Sequence, residues 1–227
     1  MSDQVTLIGV GTPATLWQVA SPGPAHLILP DGVMDLIWSN ERLVFAGPDV
    51  RAASVALPPG AVTYGLRLPP GVGYALFGIP AEELVGQRIP LSDLVAVPGH
   101  LADLAHHDPT TALTMIARTL LANRRTDQID LGVAASLDRA ARAGLSVRTI
   151  CEQHYLSERT LRRLSNRLFG YGPKTLASIH RFQRALRLAR HGTPPAETAA
   201  LAGYADQSHQ AREIKRLAGV TPGRILG

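Results

Sequence analysis

Arginine and asparagine side chains recur at helical spacing in the segment that follows Ser157. They are Arg159, Arg162, Arg163 and Asn166, and this spacing places them on one face of a helix. A guanidinium group binds guanine through two hydrogen bonds, and a carboxamide binds adenine in the same way. A helix that carries these groups near its N-terminus has the chemistry needed to read base edges in a major groove.

A second polar face follows about fifty residues later. Asp206 is placed to cap a helix, and the outward positions after it hold Gln207, Ser208, Ala211 and Arg212. The same arrangement therefore occurs twice, which predicts two reading helices in one chain.

Each polar face needs a partner helix and a turn that hold it in place. Ser146 is placed to cap a short helix before the first face, and Glu197–Ala202 predicts a short helix before the second. Between the two units, Pro173–Arg190 predicts a long helix. A rigid spacer of this kind holds two reading helices about one DNA turn, roughly 34 Å, apart.

Three segments together resemble the AraC/XylS family of transcription regulators. Gly203–Pro222 is similar to the second helix-turn-helix signature of that family, whereas Ser157–Leu164 and Arg181–Arg190 are similar to its first recognition helix and its linker helix. The similarity covers about residues 130–225. It implies a double-stranded DNA partner read in two successive major grooves, and it leaves a homodimer and a contact with RNA polymerase open.

The resemblance also implies a role for individual residues. The base-reading positions are Arg159, Arg162, Arg163, Gln207, Ser208, Ala211 and Arg212, and the positions that contact the DNA backbone or cap a helix are Ser157, Asn166, Arg167, Lys174 and Lys215. The exposed arginines elsewhere are expected to contact phosphates or to aid solubility; they are Arg142, Arg148, Arg181, Arg184 and Arg187. The sequence departs from the usual family residues at His154 and Tyr155 in the first turn, and at Ser165 and Gln210, where an aromatic residue is usual.

The charge is divided unevenly along the chain. The net charge is +5, but residues 1–130 carry 7 basic and 12 acidic side chains, whereas residues 131–227 carry 16 and 6. The C-terminal segment is therefore at +10, and such a segment attracts polyanions, of which nucleic acid is the most common. The alternative is a helical bundle with a solvated arginine face.

The N-terminal part consists of short apolar runs separated by proline and glycine turns. The candidate strands are Ala25–Pro30, Val33–Trp38, Arg42–Phe45, Ser54–Leu57 and Ala61–Leu68. They predict an antiparallel, barrel-like (cupin-like) domain, and with the helical C-terminal part an α+β fold. Leu29–Trp38 and Ala46–Pro48 resemble an uncharacterised β-rich domain that precedes some members of the same family.

An N-terminal domain of this kind is a candidate sensor for a small-molecule effector. Asp35, Trp38, Tyr64 and Arg67 have the side chains expected in such a pocket, which are flat apolar walls and a few polar groups. The alternation in Val33–Trp38 leaves another reading open, since it places Met34, Leu36 and Trp38 together on a face that can be core.

Two other segments hold residue types that occur in other kinds of site. Gly9–Ala14 follows an apolar run and matches a dinucleotide-binding fingerprint, which would indicate a nucleotide-dependent enzyme, but strands rather than a helix follow it. His100, Asp103, His106 and His107 lack the spacing of a metal site. We therefore expect no enzyme activity, no metal and no cofactor. A protein-interaction module without a ligand is the remaining alternative for the N-terminal part.

These observations predict three segments. They are a β-rich sensing or dimerising domain at residues 1–91, a helical linker at residues 92–127, and a tandem helix-turn-helix domain at residues 128–227. The single cysteine, Cys151, excludes a disulfide framework. The N-terminus lacks the pattern of a secretion signal, and no apolar run reaches about eighteen residues, so we expect a cytoplasmic protein without a membrane anchor.

Overall fold

Short strands and tight turns build the N-terminal part of the protein. The computed structural model describes residues 2–5, 7, 13–21, 23, 26–123 and 131–225. The strands are β1 (Ser2–Val5), β2 (Ala14–Ala20), β3 (His26–Ile28), β4 (Met34–Ser39), β5 (Arg42–Ala46), β6 (Ala53–Val55), β7 (Val62–Leu68) and β8 (Arg88–Pro90). The five predicted strands are present as β3–β7, whereas β1, β2 and β8 were not foreseen.

Six of the strands form one antiparallel sheet. Its order is β1-β2-β7-β4-β5-β8, while β3 and β6 pair separately. Because β4 alternates, Met34, Leu36 and Trp38 are buried in the core and Asp35 lies on the opposite face. Among the described strands the sheet is open, with β1 and β8 at its edges, so the α+β class is confirmed but these strands do not close into a cupin-like barrel.

Helices that follow the sheet pack against one of its faces. They are α1 (Val72–Phe77), a 3-10 turn with two glutamates (Ala81–Leu84, named here the acidic turn), α2 (Leu91–Leu94), α3 (Gly99–Ala105) and α4 (Pro109–Ala122). Leu113 and Ile116 of α4 are buried against the sheet. The segment expected to be a linker, residues 92–127, thus contributes α3 and α4 to the N-terminal core.

Seven helices make up the described residues of the C-terminal part, 131–225. They are α5 (Leu131–Arg142), α6 (Val147–His154), α7 (Glu158–Phe169), α8 (Pro173–Arg190), α9 (Pro195–Ala202), α10 (Gln207–Ala218) and α11 (Pro222–Ile225). Ile179 and Phe182 of α8 are fully buried at the centre, and Ile214 of α10 packs into the same core. The long spacer helix predicted at Pro173–Arg190 is confirmed.

Some predicted features lie outside the described residues. The boundary expected between the linker and the C-terminal domain, at residues 127 and 128, is one of them, and so are Gly9, Gly11 and Thr12 of the dinucleotide fingerprint. Ala14, at the end of the fingerprint, begins β2. Within the described part of the chain, no helix has the length and apolar character needed to cross a membrane.

The two parts of the protein touch along α7, α8 and α10. Gln183 on α8 donates a hydrogen bond from Nε2 to the carbonyl of Pro30 at 2.6 Å, and the backbone N–H of Ala52 donates to the carbonyl of Leu217 at 2.7 Å. Gly170, which ends α7, has no room for a side chain, since a Cβ there would approach Pro48 Cγ at 2.7 Å and Val85 Cγ2 at 2.8 Å. These contacts therefore hold α7, α8 and α10 against the N-terminal part.

Candidate nucleic-acid interface

The first unit consists of α6, a turn and α7. Ser157 caps α7 as predicted, because its Oγ accepts a hydrogen bond from the Thr160 N–H at 3.1 Å. Leu161 and Leu168, on the inner face of α7, are buried. Arg159, Arg162 and Arg163 lie exposed on its outer surface, where no described residue pairs with their guanidinium groups.

The second unit consists of α9, a turn and α10. Asp206 caps α10 through a hydrogen bond from the His209 N–H to Oδ1 at 2.6 Å. Gln207, Ser208 and Arg212 are exposed, whereas Ala211 is half-buried. The four side chains follow one another on the outer surface, as the spacing predicts.

The α8 helix fixes the second unit to the first. Arg181 on α8 donates to Glu213 of α10 from Nε at 3.0 Å and from Nη2 at 2.6 Å. Arg216 of α10 donates from Nη2 to Ser178 Oγ at 2.7 Å. The eighteen residues of α8 span about 27 Å. Arg181 is therefore a structural residue, and the expectation that it contacts phosphate or serves solubility is wrong. Glu213, its partner, was missed because sequence spacing does not show which surface charge will be buried.

Three further arginines of the set expected to contact phosphates or to aid solubility make contacts within the protein. Arg148 Nε donates to Glu152 Oε1 at 2.9 Å on the exposed surface of α6. Arg142 Nε donates to Asp138 Oδ2 at 2.6 Å, and Arg184 Nη2 donates to the carbonyl of Arg142 at 2.6 Å. Asp138 also bonds His180 at 2.8 Å. Burial acts to raise the pKa of Asp138, but the hydrogen bonds from His180 and Arg142 outweigh it, so that the pKa lies below its usual value.

Tyr155 ends α6 in a strained conformation. Its φ of 53° lies in the left-handed region that glycine adopts freely, and its side chain is 96% exposed. The turn therefore keeps the geometry of a helix-turn-helix without the usual glycine.

The other two departures from the family pattern lie inside the core. Ser165 is buried and donates from Oγ to the carbonyl of Tyr171 at 2.7 Å. Gln210 is also buried, and its Nε2 has no hydrogen-bond partner among the described residues. The serine is thus compensated by a hydrogen bond, whereas the glutamine leaves a buried donor unsatisfied.

The predicted backbone-contact residues fall into two groups. Lys174 and Lys215 are exposed on the C-terminal part. Asn166 and Arg167, in contrast, turn toward the N-terminal part: Asn166 Nδ2 donates to Glu82 Oε2 at 3.0 Å, and the Arg167 guanidinium lies 5.3 Å from the centre of the Tyr74 ring. In this arrangement neither of these two side chains is free for phosphate.

The four residues predicted to line an effector pocket do not come together. Trp38 lies in the core, where His106 packs edge-on against its ring at 4.8 Å, and Tyr64 packs on the same side of the sheet. Asp35 and Arg67 lie on the opposite face, because neighbouring positions of a strand point to opposite sides. The predicted pocket is therefore wrong as a single site.

Asp35 and Arg67 belong instead to a polar cluster that includes Asp31 and Trp17. Trp17 Nε1 donates to Asp35 at 2.8 Å, and Arg67 Nη2 donates to Asp31 at 2.5 Å. Burial raises the pKa of Asp31 to about 6, although Arg67 opposes this shift, and burial likewise raises the pKa of Asp35. Trp17 fits beside Gly65, where a Cβ would meet the indole at 2.1 Å.

A cleft of about 310 Å³ opens between this cluster and α5. Arg67 lines it from the sheet, and Arg139 and Arg142 line it from α5, with Asp138 beside them. Val33, Leu68 and Pro69 are among the residues that supply apolar walls. The sequence pointed to Arg67 but not to Arg139 and Arg142, because these α5 residues come to line the same cleft only when the two parts of the protein pack together.

Comparison with protein-family models matches both parts of the chain. Residues 150–226 match a helix-turn-helix domain, which covers α7–α10 and both polar faces. The C-terminal part of the chain therefore contains an AraC-type helix-turn-helix domain. Residues 14–90 match a domain of unknown function (DUF6597), which covers β2–β8 and the acidic turn.

Solved structures of ToxT from Vibrio cholerae resemble the whole chain at low identity. A 1.65 Å structure shares 10% identity with a TM-score of 0.47, covering 94% of this chain and 97% of the ToxT chain. A structure of wild-type ToxT bound to unsaturated fatty acid shares 10% identity with a TM-score of 0.43, covering 94% of each chain. No curated protein matches the sequence.

The AraC-type domain decides the class of the protein. It is a DNA-binding transcriptional regulator with an N-terminal sheet domain. The two capped helices, α7 and α10, are the elements through which this class of domain enters DNA.

Proposed function

We propose that the protein reads a bipartite DNA site, with α7 in one major groove and α10 in the next. The observation that supports this most directly is that two capped helices present exposed polar faces and are joined by one spacer helix, α8. Arg159, Arg162 and Arg163 supply donors for guanine from α7. Gln207, Ser208 and Arg212 supply donors and acceptors from α10, and Ala211 an apolar contact for a thymine methyl group.

Affinity for the phosphate backbone comes from the charge of the C-terminal part. Lys174 and Lys215 are the exposed lysines that serve it, and their contribution falls as salt rises. We assign the DNA-binding domain to residues 128–227 and include α3 and α4 in the N-terminal unit. A homodimer, a contact with RNA polymerase and a cytoplasmic location stay predictions.

Selection from a random pool of DNA duplexes with the full-length protein, at two salt concentrations, tests this function. Enrichment of two half-sites about one helical turn apart is the expected result. Binding that depends on salt but enriches no sequence would contradict it and would favour the helical bundle with a basic surface.

We propose that a small-molecule effector binds in the cleft between the sheet and α5, and not on the side of the sheet that holds Trp38. Arg67 of the sheet and Arg139 and Arg142 of α5 line it beside apolar walls. Arg67 and Arg142 are already bound to Asp31 and Asp138, whereas Arg139 has no partner among the described residues, and a guanidinium group beside apolar walls suits a small carboxylate. A ligand that binds both parts would change how firmly α5 and α8 hold the sheet.

Thermal unfolding with benzoate and with benzamide tests the cleft, because the two molecules differ in charge but hardly in shape. We expect benzoate alone to raise the Tm, and Arg139→Gln to remove the shift while Arg187→Gln retains it. Equal shifts with both molecules would overturn the carboxylate site. A shift with nicotinamide or flavin nucleotides would instead favour the enzyme alternative at Gly9–Ala14.

A further inference from the structure

The acidic turn of the N-terminal part lies directly against the first recognition helix. Asn166, the last residue of the polar face of α7, donates to Glu82 at 3.0 Å. Glu82 also shares a groove of about 480 Å³ with Arg159, Arg162 and Arg163. The carboxylate therefore stands beside the surface that would enter DNA.

Packing holds this contact in addition to the hydrogen bond between Asn166 and Glu82. Arg167 lies over the Tyr74 ring, and the left-handed Gly170 fits between Pro48 and Val85 with no space for a Cβ. The C-terminal half of α7 is thus packed on the N-terminal part, on the side where Glu82 lies.

A helix in a major groove is flanked by the phosphates of both strands, which contact basic and amide side chains along its edges. At the end of the α7 face, Asn166 is already bound to a carboxylate, an anion with the same hydrogen-bonding preference as a phosphate. A DNA strand at this edge would meet the negative charge of Glu82 instead of a free donor.

The second recognition helix is different. Among the described residues, none of the N-terminal part bonds to Gln207, Ser208 or Arg212, and the contact of Ala52 with α10 is made to the Leu217 carbonyl near the end of that helix. The obstruction is therefore confined to one of the two reading helices.

We propose that the N-terminal part is an internal competitor of DNA at α7, and that Glu82 takes the place of a backbone phosphate there. The proposal rests on the function proposed above, since it requires α7 to read DNA. In the arrangement described here α10 is open to its half-site, and α7 engages fully only when the acidic turn moves away.

Full-length Glu82→Gln tests the competition, and Glu83→Gln is its matched control. Glu83 is exposed on the same turn but does not line the groove, so its removal reports the general effect of one less negative charge. Affinities are measured by fluorescence anisotropy on a duplex with both selected half-sites and on one with the α7 half-site scrambled.

We expect Glu82→Gln to bind the complete duplex about three- to tenfold more tightly than Glu83→Gln does. On the duplex with the scrambled half-site the two variants should agree within about twofold. The slope of log K against log salt should also steepen by about one for Glu82→Gln on the complete duplex, because the carboxylate no longer offsets one of the positive charges that α7 presents to the phosphates.

Equal affinities of the two variants on the complete duplex, with sequence-specific binding intact, would overturn the competition and leave the DNA-reading function standing. If the wild-type protein binds the complete and a fully scrambled duplex equally, the function itself fails, and this inference fails with it.

Discussion

Arg181 of α8 and Glu213 of α10 form a two-point salt bridge that sets the angle of the second recognition helix. The guanidinium group also lies 5.0 Å from the centre of the Tyr204 ring, so an aromatic side chain covers the pair. Because Glu213 is largely buried, water cannot fully solvate the remaining charge when one partner of the salt bridge is removed.

Glu213→Ala should therefore lower the free energy of unfolding by about 2 kcal/mol, as expected when a charged hydrogen-bond partner is lost from a partly buried site. Chemical denaturation measures this value. Arg187→Ala, an exposed position on the same helix, is the control and should change stability by less than about 0.5 kcal/mol. Equal losses in the two variants would show that the bridge acts only as a surface ion pair.

The packing of α7 on the N-terminal part predicts a difference between two helix-ending glycines. Gly170 and Gly219 both adopt left-handed φ values, 87° and 72°, but a Cβ at Gly219 would meet no atom within 4 Å. Gly219→Ala should destabilise the protein by about 1 kcal/mol, the conformational term alone. Gly170→Ala should cost about 3 kcal/mol, since its methyl group also collides with Pro48 and Val85. Urea unfolding measures the two losses of stability. Similar losses in the two variants would mean that α7 separates easily from the N-terminal part.

Asp31 predicts a pH dependence. Its pKa of about 6 in the folded protein lies above the ordinary value of 3.8, so the folded state binds the proton more tightly and the contribution of Asp31 to stability falls as pH rises from about 4 to 6. Asp31→Asn, which mimics the protonated form, should match the wild type near pH 4 and gain stability relative to it up to about pH 7.

Urea unfolding of Asp31→Asn and the wild type at pH 4, 5, 6 and 7 measures that difference, and other titrating groups largely cancel in it. A difference that shrinks as pH rises would contradict the sign and show that Arg67 outweighs burial at Asp31.

The left-handed Tyr155 predicts a stabilising substitution. Tyr155→Gly should raise the free energy of unfolding by about 0.5–1 kcal/mol, because relief of the backbone strain exceeds the extra flexibility of glycine in the unfolded chain and the exposed ring loses little contact. Tyr155→Ala keeps the strain and should stay within about 0.5 kcal/mol of the wild type. Destabilisation by glycine would mean that the ring makes a contact that its exposure hides.

Local features of this protein were predictable, because they depend on residues close together in the chain. Ser146, Ser157 and Asp206 cap α6, α7 and α10 as expected, and the apolar positions of α8 are buried as their spacing requires. The helix α1 was missed because the turn Pro69–Gly71 before it indicates a chain reversal equally well, and six apolar residues do not distinguish a strand from a helix.

Features that depend on how the two parts meet were not predictable. Asn166 and Arg167 have residue types suited to DNA, but their neighbours Glu82 and Tyr74 lie more than eighty residues away in sequence. Trp38 and Asp35 share a strand, and alternation places them on opposite faces, but only the tertiary packing shows that the face of Trp38 is the core. Spacing along one helix or strand gives a face, whereas the partner of that face is decided by tertiary packing.

Arg212 is the best test of base reading, since it is exposed on α10 and no described residue pairs with it. Arg212→Ala should weaken binding to the selected duplex by about 1–3 kcal/mol and leave binding to random DNA nearly unchanged. Lys215→Ala, on the same helix, should weaken both by a similar factor and reduce the salt slope by about one, as a phosphate contact does. Anisotropy titrations at two salt concentrations separate the two patterns, and an equal loss on both duplexes for Arg212→Ala would assign Arg212 to the backbone.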